Sequence, residues 1–325
     1  MATWSVMVTA TFAYLGTELV GVTVGEAQNP RRTIPRAIRL TFYRILIFYV
    51  LSVFLLGMLV PYDSPELAFA LKSKPGASAS PFVVAIKLSK IRALPDILNA
   101  CILVFVFSAS NSDLYIASRT IYGLALEGKA PRILAQTDRR GVPIYALGVS
   151  SLFALLAYMN VAEDSKVVFG YFVNLTTIFG ILTWISILVT HIWFVRARRA
   201  QGITDAQMPY VSPFGMAGSI GALFGCCLIA LFKNFNVFTP DPKSYGTWDY
   251  KNFVTGYIGI PLYLMLIFGY KFWYRAPGIK PEDVDLFHGK EKIDREEEEF
   301  LRQQALKGPG KGMGKFYRKY ISWLF

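Results

Sequence analysis

Glu18 is the residue whose chemistry fits its surroundings least. It stands in FAYLGTELVGVTVGEAQNPRRTIPRA, a stretch that opens at Phe12 and whose first half is otherwise built of apolar and small side chains. A carboxylate inside a membrane helix costs about 2.5–3.5 kcal/mol on insertion scales, so such a group faces a cavity or a bonding partner. Gly16 and Thr17 precede it, and Gly21 and Gly25 follow one and two turns later. All are weak helix formers that let a helix open or a second backbone come close. Two chemistries suit the pattern. An interrupted membrane helix offers unpaired carbonyls and N–H groups to a small charged ligand at midplane, without metal or cofactor. A continuous helix would instead pack on its glycines, with Glu18 bonded to a neighbouring helix.

A second polar cluster, Ser108, Ser110, Asn111, Ser112 and Asp113, interrupts another apolar run. Side chains of this kind hydrogen-bond between membrane helices, and Asp113 is expected to pair with Arg119. Other groups promise less. Cys101, Cys226 and Cys227 lie inside apolar runs and read as small buried hydrophobes. His191, beside Trp193, reads as an interfacial anchor, and His288 belongs to the tail. Neither stands with a second His near a Cys, so no zinc site is expected. No Gly-rich loop ends in Lys-Ser/Thr, and no Ser-His-Asp set shares a face. The sequence therefore predicts no metal, no cofactor and no enzymatic chemistry. Asn174-Leu175-Thr176 has the glycosylation pattern, but inside an apolar span where it is not expected to be used.

The elements that must position Glu18 follow from composition. Of the 325 residues 54% are hydrophobic and 17% charged, against about 25% charged in a soluble domain. That excludes disorder and argues against a soluble fold. The net charge of +12 arises from 34 Lys and Arg scattered between apolar runs, so no continuous phosphate-binding face is expected and nucleic acid is not a partner. With about 20 apolar residues per span, the sequence predicts some seven membrane helices, centred on roughly 4–25, 40–60, 95–118, 143–162, 168–195, 214–238 and 252–274. The expected partner is the lipid bilayer.

Short loops carry Arg31, Arg32, Arg36 and Arg39, then Lys129, Arg132, Arg139 and Arg140, then Arg196, Arg198 and Arg199. The positive-inside rule puts these in the cytoplasm. The intervening loops are expected outside, although Lys72, Lys74, Lys87, Lys90 and Arg92 make one of them equally basic. No Lys or Arg precedes Arg31, so a cleaved signal peptide is not expected. The odd count places the N-terminus outside and the tail inside. Residues 1–274 are thus expected to form the membrane domain and 275–325 a cytoplasmic tail. The tail mixes Glu296, Glu297, Glu298 and Glu299 with Lys307, Lys311, Lys315, Arg318 and Lys319 and ends in Tyr320, Trp323, Leu324 and Phe325; its charges read as solvated rather than as a basic, lipid-touching helix at the end, and 308–314 as a flexible linker.

FAYLGTE followed by VGEAQNPRRTIPRAI resembles the sixth membrane helix and following loop of amino-acid permeases of the amino acid–polyamine–organocation superfamily. SASNSDLYIASRTIYGLALEGKAPRILAQTDRRGVPIYAL, FGYFVNLTTIFGILTWISI, ALFKNFNVF and YKNFVTGYIGIPLYL are similar to helices eight to twelve of the fungal members, and PEDVDLFHGKEKID to their tails. The resemblance implies an all-α, polytopic bundle, an incomplete version of the 5+5 inverted-repeat transporter fold, with the first five helices missing. It implies an amino-acid substrate, a proton as coupling ion, alternating access and a plasma-membrane location. Carried over residue by residue, Phe12 falls at an aromatic gate, and the carbonyls of Ala13, Tyr14 and Leu15 at the ligand's ammonium group. Gly16 and Thr17 fall at the unwound strand, with the interruption between roughly Tyr14 and Thr17. Glu18 falls at the acid that follows, for structural pairing or proton-linked gating. Asn111 falls on the inner side of the pathway. Two other classes stay open: a non-transporting membrane subunit or truncated product, and a seven-helix receptor, which the mid-membrane acid beside Gly and the lack of an outer Cys pair oppose.

Overall fold

The computed structural model describes residues 6–27, 29–65, 80–88, 93–161, 165–238, 250–275, 277–287 and 289–307. Expectations for Lys72, Lys74, Lys90 and Arg92, and for 308–325, fall outside them. All regular structure among the described residues is helical. Helix α1 (Met7–Phe12) precedes a 3₁₀ segment, Thr17–Glu26. Helix α2 (Pro30–Ile45) runs through a π-helical stretch, Leu46–Leu51, into α3 (Ser52–Leu59). There follow α4 (Pro81–Leu88), α5 (Leu94–Leu126), α6 (Ile144–Ala154), α7 (Ser165–Ala200) and α8 (Gly215–Phe232). The last are α9 (Tyr250–Tyr257), α10 (Gly259–Trp273) and α11 (Lys290–Lys307).

Among the described residues, five helical stretches are long and apolar enough to cross a membrane: Pro30–Leu59, Leu94–Leu126, Val167–Ala200, Gly215–Phe232 and Tyr250–Trp273. The first and fourth expected spans form shorter apolar helices, Ala10–Val24 and Ile144–Met159. A further difference concerns Arg31 to Arg39, read as a loop. They are helical from Pro30 onward, because proline at a helix's first position gives up an N–H that would lack a partner anyway. Asn29 turns the chain into that helix with φ 51°, a left-handed value that asparagine tolerates.

The chain divides into two compact units, Phe42–Phe172 and Met1–Thr41 with Val173–Phe325. In the first, Val60, Val84 and Ala85 form a small core with Leu56 against it. Leu103, Val104, Phe105, Val106 and Phe107 of α5 are each 56–75% exposed. Five consecutive apolar residues bare on every side of a helix require an apolar surrounding, which lipid supplies. Among the described residues, the hydroxyls of Ser110 and Ser112 donate to Val106 O (2.9 Å) and Ser108 O (3.0 Å) on their own helix rather than across to another. A hydroxyl on a helix reaches the carbonyl one turn back with no partner helix needed. Nor does Asp113 ion-pair with Arg119 among the described residues; the Arg119 guanidinium lies over the Tyr115 ring, 5.4 Å from its centroid.

In the second unit, α7 is the central element. Ile178, Ile181 and Leu182 pack with Ala230 of α8, and Cys226, Ile260 and Tyr263 close around them. Gly259 lets α10 approach, since a Cβ there would lie 2.9 Å from Ile178 Cγ2. Polar ties add register: Ser186 Oγ and Tyr263 Oη lie 2.8 Å apart, as do His191 Nδ1 and Ser219 Oγ. His191 thus joins α7 to α8. Cys227 is exposed, not buried, because it sits next to Cys226 on a helix that turns only one of the two toward α7.

Candidate functional site

The site assembles around the end of α1. Helical bonding stops at Phe12, and the amides of Tyr14 and Leu15 donate to Thr11 O (3.1 Å) and Phe12 O (3.2 Å), only three residues back. Gly16 then adopts φ 94°, ψ −5°, from which the 3₁₀ segment starts. Left-handed backbone of this kind suits glycine, which lacks the Cβ that other residues would crowd against a carbonyl. The interruption, expected between roughly Tyr14 and Thr17, spans Ala13 to Gly16, one residue earlier, and it gives way to 3₁₀ rather than α-helix. Where the regular ladder stops, backbone groups become free to bond elsewhere.

Two residues that the sequence did not single out fix this turn to α7. Leu15 lies over Gly180, where a Cβ would come 2.2 Å from Leu15 Cδ2. One helical turn on, Trp184 Nε1 donates to Glu18 Oε2 at 2.9 Å. Gly180 and Trp184 share a face of α7 by their spacing of four, and the interrupted segment runs along that face. A detectable signal existed: an indole N–H in mid-membrane requires an acceptor, and Glu18 was the costly acid in want of a donor. A broken helix and a Glu18 bonded across to a neighbour are thus present together rather than as alternatives.

Phe12 and Tyr14 are 37% and 39% exposed, and Leu15, Gly16 and Glu18 are half-buried. Ala13 and Thr17 are exposed. Phe12, Ala13, Tyr14, Leu15, Gly16, Thr17 and Glu18 are thus brought into one turn and its flanks. Asn111 is exposed on α5, which lies in the other unit. No group of three His, Cys, Asp or Glu that could hold a metal occurs among the described residues.

A second polar constellation lies further along α7. Lys233, 1% exposed, donates from Nζ to Asn174 O at 3.0 Å. Asn174 Nδ2 donates to Asn252 Oδ1, and Asn234 Nδ2 to Asn252 O, both at 3.2 Å. Asn174, which carries the glycosylation pattern, is thereby committed to α9. The Lys233 ammonium has no carboxylate beside it among the described residues. A buried charge without a counter-ion costs more than it returns. Lys233→Met, which keeps the stem and removes the charge, is expected to melt at or above the wild-type temperature. Lys233→Ala leaves a cavity and is expected to lose about 2–4 kcal/mol. Thermal unfolding in detergent checks both, and a Met variant less stable than the Ala variant would refute the account.

Residues 1–278 match the family profile described as amino acid permease. The chain is 51% identical over 326 aligned positions to the dicarboxylic amino acid permease of Saccharomyces cerevisiae, covering 99% of this chain and 53% of that protein. It is 38% identical to the basic amino-acid permease of the same yeast, over 89% of this chain and 49% of that one. With the proline-specific permease of Emericella nidulans the identity is 35%, over 90% and 52%. The chain spans about half the length of the curated relatives it matches. No solved structure matches it.

Proposed function

This chain belongs to the amino acid permease family and is an integral membrane protein, and from that premise we propose that it forms the second half of an amino-acid transporter working by alternating access. The observation that carries the reading is the interruption at Ala13 to Gly16, held against α7 by Leu15 on Gly180 and by Glu18 on Trp184. An α-amino acid offers an ammonium with three donors, and the carbonyls of Ala13, Tyr14 and Leu15 are our candidates to receive it, with Phe12 above as the gate. Thr17 continues the unwound strand. Asn111 is proposed to line the inner pathway from α5. Dicarboxylic amino acids are the substrate class we infer, since the relative sharing 51% identity is named for them.

The experiment compares uptake of labelled glutamate, lysine and proline by cells lacking their own permeases. These cells express this chain alone, or joined to the first half of the yeast dicarboxylic amino acid permease. Saturable glutamate uptake by the joined protein, competed by aspartate and absent from the chain alone, is expected. Insertion without uptake of any amino acid by the joined protein would leave the non-transporting subunit as the better reading.

For Glu18 we propose proton-linked gating, with structural pairing to Trp184 as the alternative. Glu18→Gln keeps the shape and still accepts the Trp184 hydrogen bond, but cannot carry charge, and is expected to flatten the pH dependence of uptake. Trp184→Phe removes the donor and keeps the carboxylate, so its uptake is expected to stay pH-dependent. Identical, unchanged profiles in both variants would confine Glu18 to packing. The proposed location is the plasma membrane, with the tail and Arg139 in the cytoplasm and Asp63 outside. A membrane-impermeant thiol reagent on intact cells should modify Asp63→Cys and spare Arg139→Cys; the reverse pattern inverts the topology.

A further inference from the structure

The tail after α10 is held at two separate places. At the C-terminal end of α7, Gln201 Nε2 donates to the carbonyls of Val284 (2.7 Å) and Pro281 (3.3 Å). Ile279, Val284 and Leu286 line an apolar groove with Trp193 and Ala197 of α7. Beyond this docked strand comes α11. Its Asp294, Glu297 and Phe300, spaced three apart, are half-buried, whereas Glu296, Glu298 and Glu299 are exposed. The two acids of the inner face meet one guanidinium: Arg31 Nη1 donates to Glu297 Oε2 at 2.6 Å, and Nη2 donates to Asp294 Oδ1. Of the acidic run read from the sequence as solvated, Glu297 is thus seated on Arg31, because only one face of a helix can point at solvent when the other is seated.

Arg31 is the second residue of α2, just past the 3₁₀ segment Thr17–Glu26. Between Thr17 and Arg31, the side-chain hydrogen bonds that leave the segment, among the described residues, are Glu18 to Trp184 at its head and Arg31 to α11 at its foot. A 3₁₀ run of ten residues has poorer bonding geometry than an α-helix and rearranges at little cost. Its ends therefore decide how far it moves. A guanidinium forked between two carboxylates is a directional tie that a single exposed ion pair is not.

We propose that the C-terminal strap is a brace: its 281–284 stretch is held by Gln201 just past the end of α7, and α11, which follows, grips Arg31 and restrains the foot of the interrupted helix, so that its release frees the segment. The brace stands on contacts of this chain alone; only its bearing on transport, as an autoinhibitory contact, rests on the transporter reading above.

Hydrogen–deuterium exchange of the purified chain in lipid nanodiscs tests it without any uptake measurement. Asp294→Asn with Glu297→Gln is expected to speed exchange about tenfold in 290–307 and also in 17–33, leaving the α8 peptides (215–232) as in the wild type. Arg31→Gln should reproduce the pattern from the other side of the contact. Arg31→Glu with Asp294→Lys and Glu297→Lys should return both segments toward wild-type protection. Faster exchange confined to 290–307, or no change in either segment, would overturn the brace and leave α11 as a docked tail. If Arg31→Gln also loosens α8, the tail variant, which changes no residue of α1 to α10, decides the matter. Absence of uptake by the joined protein would speak against the transporter reading and leave this exchange result standing.

Discussion

Gly16→Val, introduced into the joined transporter, is expected to lower amino-acid uptake at least tenfold while the protein still reaches the membrane. The cause is backbone strain. Gly16 sits at φ 94°, ψ −5°, and a non-glycine residue in left-handed backbone costs about 1–2 kcal/mol, more for a β-branched side chain. Since about 1.4 kcal/mol is a tenfold change in an equilibrium, that strain suffices to depopulate the turn. Crowding contributes little: a Cβ at Gly16 would find only Leu19 Cδ1, at an ordinary 3.4 Å. Gly21→Val is the matched control, because nothing lies within 4 Å of a Cβ there and its φ needs no glycine. Gly16→Asn should fall between the two, since asparagine tolerates left-handed backbone. Uptake normalised to surface-labelled protein makes the comparison. Equal activity of Gly16→Val and Gly21→Val would remove the turn from the transport site.

Gly180→Ala is expected to act on the same turn from the opposite side. A methyl group at position 180 lies 2.2 Å from Leu15 Cδ2 and 3.2–3.3 Å from Leu15 Cδ1 and Cγ. Leu15 must leave its seat, and overpacking of this kind costs about 1–3 kcal/mol. Uptake should fall by roughly fivefold to a hundredfold, the kinetic equivalent of that range. Leu15→Ala, which removes the colliding atoms, should restore most of the loss when combined with Gly180→Ala, although alone it leaves a small void and a mild defect. Such non-additivity is what contacting residues show. Strictly additive losses in the double variant would mean that Leu15 and Gly180 do not meet in the working protein.

Glu18 and Gly16 are legible from the sequence, because the cost of a mid-membrane acid and the freedom of glycine are local properties. So is the all-helical, membrane-embedded class, which needs only composition and the length of apolar runs. The surroundings of the site are not legible in this way. Trp184 lies 166 residues from Glu18 along the chain, and no periodicity links the two; the indole's need for an acceptor names a type of partner but not which one. The serine cluster is not legible for a related reason. Sequence marks a hydroxyl as polar, whereas geometry decides whether it reaches across to another helix or back to its own carbonyl, as Ser110 and Ser112 do.

Charge behaves in the same way. The sequence reads Glu296 to Glu299 as one run, and a run of like charges prefers water; helical winding splits it, seating Glu297 on Arg31, 266 residues away, while Glu298 stays exposed. Lys233 is the converse, a cation that composition would place at the surface and that packing of α7, α8 and α9 buries to 1% exposure. By itself the sequence determined the solvent of this protein and its helical class, since each depends on residue type and spacing within a few turns, while its family and the approximate place of the break came from resemblance along the chain. Only the tertiary structure decided which groups hold that break in place, because the partners are set by which helices close on α7, and that is a property of packing over the whole unit.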